Sequence, residues 1–202
     1  MAQPTDEQLV ARARQGNPDA FRTLVERYHD DLMRFLIRLT GSADAADDVF
    51  QDTFIQIFQS ASTFDVGRRF KPWLFTIAAN KARDHLRRKS RRQAMDLSAP
   101  VGGAEGGSDE GGTTFVDLLE LEIPDVSSGL EDEERDRMVQ QALDRLPLPL
   151  KEILLLSYFQ RLTYGQIADE LGIPLGTVKS RLHAAVAAFA RQWKLVSKGS
   201  DR

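Results

Sequence analysis

Within seven positions the chain places Thr177, Lys179, Ser180, Arg181 and His183, a set of hydroxyl, ammonium, guanidinium and imidazole groups. Thr, Lys, Ser and His side chains at this spacing have the donors and acceptors that read base edges in a major groove. A flanking Arg181 suits a phosphate. Such groups read sequence only if a helix presents them on one face, and the surrounding stretch, LTYGQIADELGIPLGTVKSRL from Leu162 to Leu182, is punctuated for that. Thr163 is an N-cap and Gln166 completes a capping box. Ile167, Ala168 and Leu171 give a first helix its apolar face. Gly172 stands where a left-handed residue ends it, and Pro174 opens a second helix. In that second helix Val178, Leu182, Val186 and Phe189 form the expected buried stripe. A helix pair that is merely solvated carries mixed Glu and Lys outside, whereas this outer face is cationic and hydroxylic. The segment therefore reads as a DNA-binding helix-turn-helix.

A second constellation lies in FKPWLFTIAANKARDHLRRK, Phe70 to Lys89, just behind the loop aromatic Phe64. Its first half is aromatic, with Phe70, Trp73 and Phe75. Residues 81 to 92 hold seven Lys or Arg against one Asp, so the second half is strongly basic. Aromatic faces stack unpaired bases and neighbouring cations follow the phosphates, a pairing suited to single-stranded or melted DNA. Trp73, Phe75, Ile77 and Ala78 are expected in a core. Asn80, Lys81, Arg83 and Arg87 are not, and Phe64 and Arg68 fall in a loop from Ala61 to Lys71. A third string, DDVFQDTF from Asp47 to Phe54, turns Val49, Phe50, Phe54 and Ile57 inward and leaves Asp48, Gln51 and Asp52 as an outward polar patch. By its residue types alone that patch is a solvated helix face.

Nearly everything except one connector has helical periodicity. Asn17 and Pro18 open a long helix with Phe21, Leu24, Val25, Tyr28, Leu32, Phe35, Leu36 and Leu39 on its apolar face, ending at Gly41. Ser42 caps the next, with Asp44, Asp47 and Asp48 in its first turns, where the helix dipole favours acids. Pro72 marks a helix start, and the pattern runs on towards Arg92. From about Leu130 helical spacing resumes through Val139, Leu143 and Leu146, then Leu150, Ile153, Leu154 and Tyr158. The fold class expected is all-α: two small helical domains, residues 8–92 and 130–193, on a flexible linker of residues 93–129.

The net charge of −3 hides a segregation. Between Gln93 and Glu134 there are twelve acids and no base, which leaves the rest of the chain at +9. Basic working parts on an acidic connector is the organisation this implies. Six glycines between Val101 and Thr113 give the connector a tether's composition, although Phe115, Val116, Leu118, Leu119, Leu121 and Ile123 form an apolar island within it. The chain has no cysteine, and three scattered histidines make no metal site. The start, MAQPTDEQ, lacks the basic and apolar regions of a signal peptide, and no apolar run reaches a membrane span. A cytoplasmic protein with no cofactor, no metal and no membrane insertion is expected. No nucleophile–base set or phosphate-cradling glycine loop is visible, so an enzyme is not.

DDVFQDTF, then FKPWLFTIAANKARDHLRRK, then a linker, then LTYGQIADELGIPLGTVKSRL: in this order the chain resembles a bacterial sigma factor of the sigma-70 family. It is most similar to the short extracytoplasmic-function group, which keeps only regions 2 and 4, because the linker is too short, acidic and glycine-rich for a third helical domain. The resemblance implies a subunit of RNA polymerase that selects promoters. It matches Asp47, Asp48, Gln51 and Asp52 to the patch that docks on the clamp helices of the largest subunit of core polymerase. It matches Phe64, Arg68, Arg69, Lys71 and Asn80 to the parts that hold an unstacked base of the −10 element, and Lys81, Arg83, Arg87 and Arg88 to the basic helix over that region. Thr177, Lys179, Ser180, Arg181 and His183 match the helix that reads the −35 element. One departure follows His183: family members usually carry further arginines there, whereas this chain has Ala184, Ala185 and Val186. The partners implied are core polymerase, promoter DNA and an anti-sigma factor. In the family the linker enters the polymerase channel, so an acidic connector there would mimic nucleic acid; covering the basic face of residues 81–92 is the other reading of its charge. A linker of about 38 residues has a flexible reach of roughly 34 Å, enough to let two domains address separate promoter elements. The residue pattern by itself also fits a stand-alone helix-turn-helix regulator with a helical sensor or dimerisation domain, binding paired half-sites as a dimer.

Overall fold

Helix-capping chemistry divides the chain into eight α-helices among the described residues, with no strand. The structure is a computed structural model describing residues 3–65, 67–96, 129–160 and 162–200, of which 93–96, 129–132 and 198–200 are described as backbone only. The apolar island at 115–123 and most of the acidic connector lie outside the described residues. Helix α1 (Asp6–Arg14) starts at a Thr5 capping box closed by Gln8. Helix α2 (Pro18–Thr40) starts where the Asn17 side chain accepts from the amides of Asp19 and Ala20. It stops at Gly41, whose φ of 75° is left-handed. A side chain there would also press on Asp144, whose carboxylate lies 3.2 Å from the Cβ position. Ser42 caps α3 (Ala43–Ser60), and a single 3₁₀ turn, Ala61–Thr63, leads into the loop before α4 (Phe70–Asp96). Four further helices follow: α5 (Gly129–Asp144), α6 (Leu148–Gln160), α7 (Tyr164–Leu171) and α8 (Leu175–Ser200).

Helices α1 to α4 form a bundle around Leu24, Leu32, Phe35, Leu36 and Leu39 of α2 and Phe70, Leu74, Phe75, Ala78 and Ala82 of α4. Full burial of each large side chain contributes about 1.5–3 kcal/mol. The small residues Ala78, Ala79 and Ala82 let α4 lie close to its neighbours. Beyond Ala82 the helix leaves the core, and Arg87, Arg88, Arg91 and Arg92 are exposed. A smaller core of Ile153, Ile167, Ala168, Val178, Leu182 and Ala185 joins α6, α7 and α8.

The expectation of two domains joined only by a tether is incomplete, because α6 also packs onto the first bundle. Leu155 and Leu156 are buried in the same cluster as Phe35 and Phe75. Phe159 sets its ring edge-on to Phe35 at 5.7 Å and stacks on Phe75 at 6.4 Å. Polar groups finish the seam: buried Lys151 donates to Asp144 at 2.8 Å and to the Leu39 carbonyl at 3.4 Å, and Arg38 donates to Asp136. A buried ammonium is tolerated there because carboxylate and carbonyl both meet it. Among the described residues no helix is long and apolar enough to cross a membrane.

Candidate nucleic-acid interface

The helix-turn-helix forms as its punctuation dictates. Thr163 and Gln166 make both hydrogen bonds of the capping box, and Gly172 is left-handed at φ 62°. The Pro174 carbonyl accepts from the amides of Thr177 and Val178 and so starts α8. With Val178 and Leu182 locked in the small core, Lys179, Ser180, Arg181 and His183 project into solvent and Thr177 sits at the edge. The Ser180 hydroxyl donates to the Thr177 carbonyl at 3.2 Å. No ion pair engages Lys179, Arg181 or His183 among the described residues, so the cationic face is open. The third fully buried residue of the stripe is Ala185, not Val186, which is half-buried with Phe189. Phe189 stacks on Trp193 at 6.3 Å. Of Ala184, Ala185 and Val186, where the resemblance leads us to expect arginines, Ala185 is therefore a core position at 0% exposure, and Ala184 is the exposed one.

The basic helix and its loop are arranged differently. Phe64 was expected to offer a stacking face, but its ring is only 5% exposed and packs on Trp73 at 4.6 Å and Phe70 at 6.0 Å. It supports the loop from beneath, because an aromatic at the loop's entry gains more from joining the adjacent apolar cluster than from standing in water. Arg68 and Arg69 are exposed beyond it, and Lys71 lies 5.6 Å over the Phe75 ring and 3.5 Å from Asp31. An open recess of about 640 Å³ lies between α1 and the loop, with Tyr28 and Phe70 within it and Arg68, Arg69 and Lys71 around it. Burial, aided by the hydrogen bond to Asp6, pushes the Tyr28 hydroxyl well above the ordinary tyrosine range, so it stays protonated as a donor.

On α4 itself, exposed Asn80 accepts from Arg83 at 3.1 Å, and Lys81 donates to Gln56 at 3.2 Å. Arg83 also forms a two-pronged pair with the buried Glu152 of α6, and Arg68 meets Glu170 of α7 at 2.6 Å. Arg69, Arg87 and Arg88 have no ion pair among the described residues.

On α3, Asp47, Asp48, Gln51 and Asp52 are all exposed. The same face continues into Ile55 and Phe58, the latter 65% exposed, so acids at one end of a stripe meet apolar side chains at the other. Sequence reasoning missed this extension, although the steps of three and four from Asp48 through Asp52 to Ile55 and Phe58 were its signal.

Comparison with known proteins matches two family models, Sigma-70 region 2 over residues 24–92 and Sigma-70, region 4 over residues 136–189. The chain is 30% identical over 183 residues to the ECF RNA polymerase sigma factor SigW of Bacillus subtilis, covering 91% of this chain and 94% of that protein. It is 33% identical to the ECF RNA polymerase sigma-E factor of Haemophilus influenzae, covering 91% and 92%. Its fold is that of the sigma factor RpoE of Bartonella quintana, solved with the anti-sigma factor NepR, with a TM-score of 0.62 at 22% identity over 86% of this chain and 96% of that one. The chain belongs to the extracytoplasmic-function group of the sigma-70 family. Its function is to bind core RNA polymerase and direct promoter-specific initiation of transcription; a stand-alone regulator is not favoured. The family is not one of enzymes in general.

Proposed function

We propose that three surfaces divide the work of initiation, on domains spanning residues 8–92 and 130–193. Thr177, Lys179, Ser180, Arg181 and His183 of α8 read the −35 duplex. The loop residues Arg68, Arg69 and Lys71, with Asn80 and the α4 residues Lys81, Arg83, Arg87 and Arg88, hold the melted −10 element, with Phe64 buttressing the loop. Asp47, Asp48, Gln51 and Asp52, extended by Ile55 and Phe58, dock on the clamp helices of core polymerase. Catalysis belongs to the polymerase, the chain itself works without metal or cofactor, and its place is the cytoplasm, where the polymerase is. An anti-sigma factor is a further partner, supported by the solved relative that carries one.

The observation that carries the reading is the contrast within α8: its inner face is locked in a core while Lys179, Arg181 and His183 stand exposed, without ion pairs among the described residues. Unstacking a base costs a few kcal/mol, which capture in the loop recess and phosphate contacts must offset. The division of labour is tested by splitting binding from melting in the reconstituted holoenzyme. Asn80→Ala should spare closed-complex binding and reduce permanganate reactivity near the start site. Lys179 and His183 substitutions should change which −35 sequences are preferred. Equal loss at both stages for Asn80→Ala would count against base capture.

A further inference from the structure

Helix α1 lies outside both family-model matches, yet it holds the loop before α4 at both ends. On the entry side the Arg14 guanidinium donates to the Ser62 carbonyl at 2.7 Å and to the Phe64 carbonyl at 3.2 Å. On the exit side Glu7 Oε1 accepts from the Phe70 amide at 3.2 Å. That amide is the first of α4 and has no partner within its own helix, so the carboxylate both satisfies it and meets the positive end of the helix dipole. Asp6 fastens α1 to α2 by accepting from Arg27 and from the Tyr28 hydroxyl. Between the two clamps, the internal hydrogen bonds of the described loop residues are those of a single turn: the Gly67 amide donates to the Asp65 side chain at 2.9 Å and the Arg68 amide to the Asp65 carbonyl at 3.0 Å. One local turn does not fix where the loop stands relative to the recess; the clamped ends do, together with the buried Phe64 ring and, for Arg68, its pair with Glu170.

We propose that Arg14 and Glu7 are positioning residues for −10 recognition, α1 acting as a brace that sets the geometry of the loop and of the recess it shares with that loop. The inference rests on the −10 role of the loop stated above. Its physical basis is that a loop with released ends divides its time among conformations. Its apparent affinity for a captured base then falls by the fraction of time the competent one is populated. Because wrong bases gain less from the competent geometry, release of the brace costs the preferred sequence most.

The test uses the full chain with core polymerase and a promoter set in which the −35 element is fixed and the −10 element is varied, scored by open-complex formation. Arg14→Ala and Glu7→Ala should each narrow the range between best and worst −10 sequences by about tenfold, the scale of losing hydrogen bonds to a charged group. The −35 preference and affinity for core should stay near the parent's. Glu7→Gln keeps an Oε1 acceptor for the Phe70 amide and should restore the parent profile, while Arg14→Lys, reaching one carbonyl, should fall between. A uniform loss over all −10 sequences, an unchanged profile, or Glu7→Gln behaving like Glu7→Ala overturns the brace. If Arg14→Ala fails to fold, the Glu7 pair decides alone. Asn80→Ala and Arg68→Ala separate the two levels: if they shift the −10 profile and the α1 variants do not, the brace alone is wrong; if they too leave it unchanged, the −10 role of the loop falls and the brace with it.

Discussion

The two regions proposed to face DNA differ in what their cations touch as well as in how many they have. On α8, Lys179 and Arg181, with His183 beside them, face water, and among the described residues no carboxylate pairs with them. Around α4, Arg83 is gripped by Glu152, Arg68 by Glu170, and Lys71 lies near Asp31. Two of these three acids, Glu152 and Glu170, belong to the helices that build the −35 domain. The first surface can meet a phosphate at the cost of its own hydration alone. At Arg68, Lys71 and Arg83 the second must first give up a protein carboxylate, whereas Arg69, Arg87 and Arg88, without ion pairs among the described residues, are as open as the cations of α8. Charge counted along the sequence therefore overstates what the −10 side offers in the packed arrangement, and separation of α6 and α7 from α4 changes that surface without altering a residue.

The largest effect that sharpens this contrast is steric. Placing an arginine at Ala185 would drive a guanidinium into the closed core of α6, α7 and α8, costing roughly 3–5 kcal/mol, seen as a lowered thermal midpoint with no gain in DNA affinity. At exposed Ala184 the same change should leave stability intact and steepen the salt dependence of −35 binding by about 0.9 in log–log slope. The next effect breaks the seam. A double-mutant cycle on Arg83 and Glu152 should return a coupling of about 1–2 kcal/mol in unfolding free energy, lower than for a fully buried pair because Arg83 is 39% exposed. Glu170→Gln acts on a pair whose arginine is half in solvent, and its effect on stability should stay below about 1 kcal/mol. Smallest in stability is Arg181→Ala, which should leave unfolding unchanged and reduce the salt slope of promoter binding by about 0.9.

Much of the fold was legible where local chemistry decides it. The Asn17–Pro18 start, the Ser42 cap, the Thr163–Gln166 box and the Gly41 and Gly172 stops each act within a few residues, and each stands as the sequence implied. Helix α1 escaped notice although Thr5 and Gln8 form the same box, because nine residues that bury only Leu9 and Val10 show too little periodicity to stand out. What the sequence could not show is pairing between distant segments. Glu152 and Lys151 look like solvated helix positions, yet both are buried because Arg83, Asp144 and the Leu39 carbonyl receive them. Phe64 looked available for stacking because its neighbours in sequence are polar, while its neighbours in space are Trp73 and Phe70. The exposed polar residues of α8 and α3 were read correctly as exposed, since one buried stripe on each helix leaves the opposite face no other place.

Whether the two faces differ in availability is most directly measured on the isolated full-length protein with two probes, a single-stranded −10 oligonucleotide and a −35 duplex, for the parent and for Glu152→Gln. The account predicts that freeing Arg83 from the carboxylate tightens single-stranded binding several-fold, by roughly the 1 kcal/mol of a weakened ion pair, most clearly at low salt, with duplex binding unchanged. Equal change on both probes, or none on the single strand, would contradict it.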